Sequence, residues 1–158
     1  MALRPADVPE EIDDARPLDL ASLAGIIGYP LRRAQLAVFE DFARRFRELE
    51  LTPAQYSTLT TIADNPGRKQ SEIAGALGIQ RPNFVAMMDE LERRGLAERI
   101  RSGADRRANA LALTGAGAAL LARARIAQSG QETAIDALLG SDARRELVEV
   151  LNRLATLN

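Results

Sequence analysis

Apolar residues along this chain recur mostly at three- and four-residue spacing, interrupted by short turn signals. From Leu31 to about Leu49, Leu31, Ala34, Val38, Phe42 and Leu49 line one side of a helix, and Phe39 and Phe46 widen the stripe. So broad an apolar face needs more than one neighbour. It is either a core helix within one subunit or is covered in part by a second copy. Asp19 to Gly28 precedes it as a short helix or the start of the longer one, and Pro30 either opens the main helix or kinks it. Thr52-Pro53-Ala54-Gln55 spells a capping box with proline at the first helical position. The helix it opens carries Tyr56, Leu59, Ile62 and Ala63 inward and stops near Asn65-Pro66-Gly67.

The pattern then shortens. Ser71 to Leu77 reads as a helix with Ile73, Ala74 and Leu77 on one face, ended by Gly78 in a left-handed position. Ile79 plugs the angle to a second helix, from about Arg81 to Arg94, which stops at Gly95. Phe84, Met87, Met88 and Leu91 form its inward stripe. Gln80, Arg81, Asn83, Val85, Ala86 and Glu90 remain on or near the outer face, with Pro82 in the first turn. Leu96 to Arg101 and Ala108 to Leu113 read as short strands, Leu111 and Leu113 alternating with Ala110 and Ala112. Between them Ser102-Gly103 marks a turn, and Asp105 stands two residues from Arg107, close enough to hold its guanidinium.

A helix-turn-helix followed by such a hairpin is a winged helix. The expected fold is mainly α, with a small β-hairpin wing and a helical dimerisation lobe. Arg can bond guanine bidentately, Asn or Gln can bond adenine, and small apolar groups can touch thymine methyls. Gln80, Arg81, Pro82, Asn83, Val85 and Ala86 are therefore the candidate DNA-reading residues; a plain solvated helix face is the alternative. An Arg on a protruding hairpin can enter a minor groove.

LGI-x-RP from Leu77, DELERRGL from Asp89, the DRR of Asp105-Arg106-Arg107, and A-L-x-LT ending at Thr114 together resemble the MarR family of transcription regulators. The similarity covers roughly Leu23 to Leu157. It implies a symmetric winged-helix dimer on a pseudopalindromic operator, usually a repressor, commonly relieved by aromatic acids or other phenolic compounds. It also implies that Arg107 reaches the minor groove and Asp105 positions it, with Arg106 beside them. Many members carry polar or basic residues where Val85 and Ala86 stand, so the operator cannot be borrowed from a relative. By the same resemblance, residues 52–113 form the DNA-binding lobe, and 19–51 and 114–158 supply the dimerisation helices. Residues 1–18 read from their composition as a flexible or loosely docked arm; packing along the partner subunit is the alternative. That arm carries an acidic run, Glu10 to Asp14, among Pro5, Pro9 and Pro17.

Composition sharpens this picture. There is no Cys, so no disulfide or thiol switch, and no His, so the usual zinc sites are excluded. No metal or cofactor is expected. No apolar run approaches the ~20 residues that span a bilayer, and the N-terminus lacks a signal-peptide core, so a cytoplasmic protein is expected. The formal net charge of −1 hides an asymmetry: Pro66 to Leu113 holds nine basic and six acidic residues, +3, leaving −4 elsewhere. Thr114 is placed to cap a helix reaching about Leu139, which Gly130 bends and Gly140 ends. Ser141 is expected to cap the last helix, which carries Leu147, Val148, Val150, Leu151, Leu154 and Leu157. Its mixed polar face suits helix packing rather than a membrane surface.

Five of the six aromatic residues fall between Tyr29 and Tyr56, with Arg32 and Arg33 in the same segment. The resemblance puts the effector pocket among these helices. Tyr29, Arg32, Arg33 and Tyr56 are the candidate residues for an aromatic acid or its thioester; plain packing is the alternative. An enzyme is disfavoured: there is no P-loop and no nucleotide-binding G-x-G-x-x-G, and Gly115-Ala116-Gly117 reads as a helix start. The partners expected are double-stranded DNA and a second copy of the chain. A nonspecific architectural DNA binder without an effector is the rival class.

Overall fold

The computed structural model describes residues 17–101 and 109–157. The expected arm, residues 1–18, lies almost wholly outside them. The chain divides into two compact units, 1–36 and 37–158. Each is described by itself.

In the first unit, α1 (Ala21–Ala24) is a single turn whose Ala21 N–H donates to Asp19 Oδ1 at 2.9 Å. The helix α2 (Gly28–Arg45) begins here, with Pro30 in its first turn. A missing N–H costs nothing there, so Pro30 opens the helix rather than kinking it. No described residue of this unit is buried.

In the second unit the rest of α2 gives way to one 3-10 turn, Arg47–Leu49, earlier than the sequence pattern suggests. The turn keeps Phe46 and Leu49 three apart and both inward, which is why it mimics the helical period. Phe42 and Phe46 stack nearly parallel, and the Tyr56 ring meets Phe46 edge-on at 5.3 Å. By contrast Val38 and Phe39 are exposed, as is Leu31 in the first unit. The outer part of the expected stripe is therefore left exposed among the described residues.

The capping box opens α3 (Pro53–Asp64) as expected. Thr52 N–H donates to Gln55 Oε1 at 2.9 Å, and Gln55 N–H donates to Thr52 Oγ1 at 3.2 Å. Leu59 and Ile62 are fully buried beneath it. Next come α4 (Gln70–Ala76) and α5 (Arg81–Arg93). Between them Gly78 takes φ +63° and Ile79 N–H reaches back to Ala74 O at 3.0 Å. That closure leaves Ile79 packed on the core. The strands β1 (Ala97–Arg101) and β2 (Asn109–Leu113) pair antiparallel, Ala97 opposite Leu113 and Arg99 opposite Leu111. The α3–α4 loop adds a third edge: Gly67 N–H bonds Leu111 O at 3.0 Å, and Leu111 N–H bonds Arg68 O at 2.9 Å. The hairpin base is thus tied to the helix-turn-helix from both sides.

Thr114 caps α6 (Gly115–Leu139). Its Oγ1 accepts from Gly117 N–H at 3.0 Å and donates to Gly95 O at 2.6 Å. At Gly117 a Cβ would lie 1.8 Å from the Leu96 carbonyl oxygen. The glycine stretch is therefore a close crossing of helix start and strand base, not a phosphate cradle. The helix continues through Gly130, where a Cβ would press on the Arg45 guanidinium at 3.1 Å. One residue, Gly140 at φ +79°, both ends α6 and caps α7 (Ser141–Leu154). Ser141 is already helical and makes no side-chain cap, contrary to expectation. Arg144 ties α7 to Glu132 and Asp136 of α6. No residue of α7 is buried, and Leu147, Val148, Val150 and Leu151 stand open to solvent.

Candidate nucleic-acid interface

The core stripe of α5 decides which residues it offers outward. Phe84, Met88 and Leu91 are fully buried, spaced four and three apart on one face. Turned away from that stripe are Pro82, Asn83 and Ala86, all exposed, with Val85 half-buried at the edge; Gln80 and Arg81, one turn before Phe84, are exposed at the helix N-terminus. Gln80 is the N-cap residue, yet its side chain makes no capping bond. Arg81 has no ion pair among the described residues. Both stand at the N-terminus of a 13-residue helix, where free backbone N–H groups favour an anion. The expected reading residues of α5 thus lie together on one accessible turn and a half. Asp105, Arg106 and Arg107 lie outside the described residues.

The other cations of this region are mostly engaged by the protein. Arg93 is paired with Glu90 at 2.6 Å, and that hydrogen-bonded carboxylate raises the already high pKa of the guanidinium. Arg94 donates to the carbonyls of Glu50 and Leu49 at 2.7 and 3.1 Å. Arg68 lies 3.5 Å from Glu72. Arg99 is the most tightly held, and sequence reasoning missed it, counting it only as a positive charge. It is half-buried on β1 and donates to Gln70, Asp89, Glu92 and the Val85 carbonyl. Strand alternation carried the signal: Arg99 shares a face with the buried Ala97, and an Arg turned inward requires acceptors.

The candidate effector residues fall in both units. Within the first, Arg33 sits one helical turn from Tyr29, its Cζ 5.9 Å from the ring centroid, a cation–π geometry. Arg32, next in α2, is exposed and has no partner among the described residues. Within the second, half-buried Tyr56 packs against Phe42 and Phe46. Among the described residues no helix is long and apolar enough to cross a membrane.

Residues 49–108 match the model of the MarR family. A relative from Thauera aromatica, assigned as a transcriptional regulatory protein for the hcr operon, is 40% identical over 134 residues, 84% of this chain and 81% of its own length. This chain belongs to the MarR family. It is a DNA-binding transcription regulator. Among MarR-type structures, the repressor CouR bound to a 23-mer DNA duplex is 49% identical, with a TM-score of 0.85 over 89% of this chain and 99% of that one. CouR bound to p-coumaroyl-CoA is 47% identical, with a TM-score of 0.83 over 90% of this chain and all of that one. The winged-helix fold expected from the residue pattern agrees with these structures.

Proposed function

We propose that the chain is a homodimeric, sequence-specific repressor whose DNA binding is relieved by an aryl acyl-CoA thioester. The observation that carries this reading is the N-terminal part of α5: Gln80, Arg81, Asn83 and Ala86 are exposed together, and Arg81 makes no ion pair among the described residues. Residues 52–113 form the reading lobe, and 19–51 with 114–158 pair two copies. The open apolar face of α7 supports that pairing. Two copies set two α5 helices in successive major grooves, about 34–36 Å apart. Gln80, Arg81, Pro82, Asn83, Val85 and Ala86 read the groove, while Arg106 and Arg107, with Asp105 beside them, reach phosphate and minor groove. The protein acts in the cytoplasm alongside that DNA and works by binding alone, converting no substrate.

The CouR complex with p-coumaroyl-CoA supports the ligand class. The ligand residues expected are Tyr29, Arg32 and Arg33 in the first unit and Tyr56 in the second; the tyrosines suit an aromatic group and the guanidiniums the anionic part of the thioester. Release follows only if the ligand binds the non-reading state more tightly than the reading one. The test is fluorescence anisotropy of the chain's own upstream DNA, with excess unrelated duplex, while p-coumaroyl-CoA, p-coumarate and free CoA are titrated separately. Preference for the upstream duplex of about 10³-fold or more, lost on adding the thioester, is the expected result. Binding erased by the unrelated duplex points instead to an architectural DNA binder.

A further inference from the structure

Arg99 joins three elements, β1, α4 and α5. From β1 its Nε donates to Gln70 Oε1 of α4 at 2.8 Å. Its terminal nitrogens reach Asp89 Oδ1 at 2.7 Å, the Glu92 carboxylate, and the Val85 carbonyl at 3.3 Å, all on α5. Its own backbone N–H donates to Glu92 Oε1 at 2.8 Å. The side chain is only 18% exposed. We propose that Arg99 is the positioning residue that fixes the wing hairpin against the recognition helix, so that both meet DNA as one rigid head. It does so through protein acceptors and not by touching a phosphate.

The geometry favours this over a phosphate contact. The guanidinium is a planar fork whose five donors can serve several acceptors at once. Here it grips α5 at Val85, Asp89 and Glu92, spanning two helical turns, and α4 at Gln70. Leaving for a phosphate would strip two carboxylates of their partner beside the polyanion. With the clasp in place, the hairpin that carries the Asp105-Arg106-Arg107 sequence needs no further ordering at its base when DNA binds, and that ordering cost is what weakens unprepared interfaces.

The two views part on a counterintuitive point. Simple electrostatics says that deleting an acidic residue from a DNA-facing head tightens binding. If Asp89 and Glu92 serve to hold Arg99, deleting one loosens it. The inference rests on the proposed reading of α5 as the groove-facing helix. The experiment compares full-length wild type, Asp89→Ala, Arg99→Lys and Arg99→Ala for operator affinity, hydroxyl-radical footprint and thermal midpoint. Asp89 is 62% exposed and Ala is the best helix former, so Asp89→Ala keeps the fold. It is expected to weaken operator binding about fivefold despite losing a negative charge, and Arg99→Ala about tenfold or more, with the minor-groove footprint fading first. Arg99→Lys should not restore affinity, because an ammonium cannot span the same acceptors. Asp89→Ala binding as tightly as wild type or tighter, or Lys restoring affinity, overturns the positioning role. Wild type showing no operator preference defeats the reading of α5 itself, and the inference with it.

Discussion

Replacing Arg81 with alanine separates recognition from stability more cleanly than any other change in the reading lobe. Arg81 is exposed at the first position of α5, and its removal breaks no ion pair among the described residues. Taking a positive charge away from a helix N-terminus favours the helix slightly, by about 0.3–1 kcal/mol. Alanine itself suits the position. The unfolding free energy should therefore hold or rise by a few tenths of a kcal/mol. Binding should fall much further. A bidentate base contact is worth roughly 1–3 kcal/mol, and a symmetric dimer presents the residue twice, so roughly 2–6 kcal/mol is at stake. In affinity that is a loss of about thirtyfold or more.

The assay is operator anisotropy at several salt concentrations, paired with denaturant unfolding. A base contact relaxes specificity at one position in each half-site and leaves the salt slope nearly intact. A phosphate contact leaves specificity alone and lowers the slope by about two, one per protomer. Affinity within twofold of wild type, with slope and specificity unchanged, would refute the assignment of α5's N-terminal turn to DNA.

Other outcomes follow from the same physics. Arg107→Ala should cost operator binding on the order of 1–3 kcal/mol per protomer; a loss below a few tenths in anisotropy removes its assigned role. Arg32→Ala or Tyr29→Phe should blunt the response to p-coumaroyl-CoA while operator affinity stays near wild type, and equal loss of both would assign these residues to folding or pairing. Gly117→Ala drives a Cβ into the Leu96 carbonyl, where neither backbone can yield, so denaturant unfolding should show a loss of about 1–3 kcal/mol or more. Asp41 accepts from Arg45 and lies beside Arg44 and Gln131, and these contacts outweigh burial to hold its pKa below the ordinary carboxylate value. A lowered folded-state pKa adds stability above the unfolded value, near 3.9, that is lost as pH falls through the folded one. Asp41→Asn should thus be less stable than wild type at neutral pH, and the gap should close in strong acid.

Where short-range chemistry settled an element, the residue pattern was enough. Thr52 and Gln55 close their box, Thr114 caps α6, and the spacing of Phe84, Met88 and Leu91 decides which face of α5 is buried. The misreadings have physical causes. The i+3 interval of Phe46 and Leu49 suits a 3-10 turn as well as a helix, so α2 looked longer than it is. Two helices meeting across a single glycine left no room for Ser141 to cap, because Gly140 holds a positive φ and serves both ends. The role of Arg99 depends on α4 and α5 lying beside β1, and charge counting along a chain cannot show it. Periodicity reveals that α2 and α7 carry apolar faces, but not what covers them. For the same reason Tyr29, Arg32, Arg33 and Tyr56 were legible as an aromatic and cationic cluster in sequence, while their joint use rests on the proposal.

The way the positive charge is spent also bears on the choice between a specific regulator and an architectural binder. Nonspecific affinity grows with the number of phosphates neutralised, roughly one released counterion per free cation. The segment from Pro66 to Leu113 looks generous with nine basic residues. Yet Arg99 is clasped by two carboxylates, and Arg94 is committed to the carbonyls that end the turn before α3. Arg93 and Arg68 sit in exposed pairs worth about 0–1 kcal/mol, cheap to exchange for a phosphate, but their acidic partners stay behind and repel it. Each exchange therefore gains little net attraction. On the proposed reading of α5, these four cations add little affinity for arbitrary DNA, and base contacts along Gln80, Arg81 and Asn83 supply the preference for a site. Weak background binding with strong site preference is the behaviour a regulator needs, and a modest salt slope for unrelated DNA would be its signature.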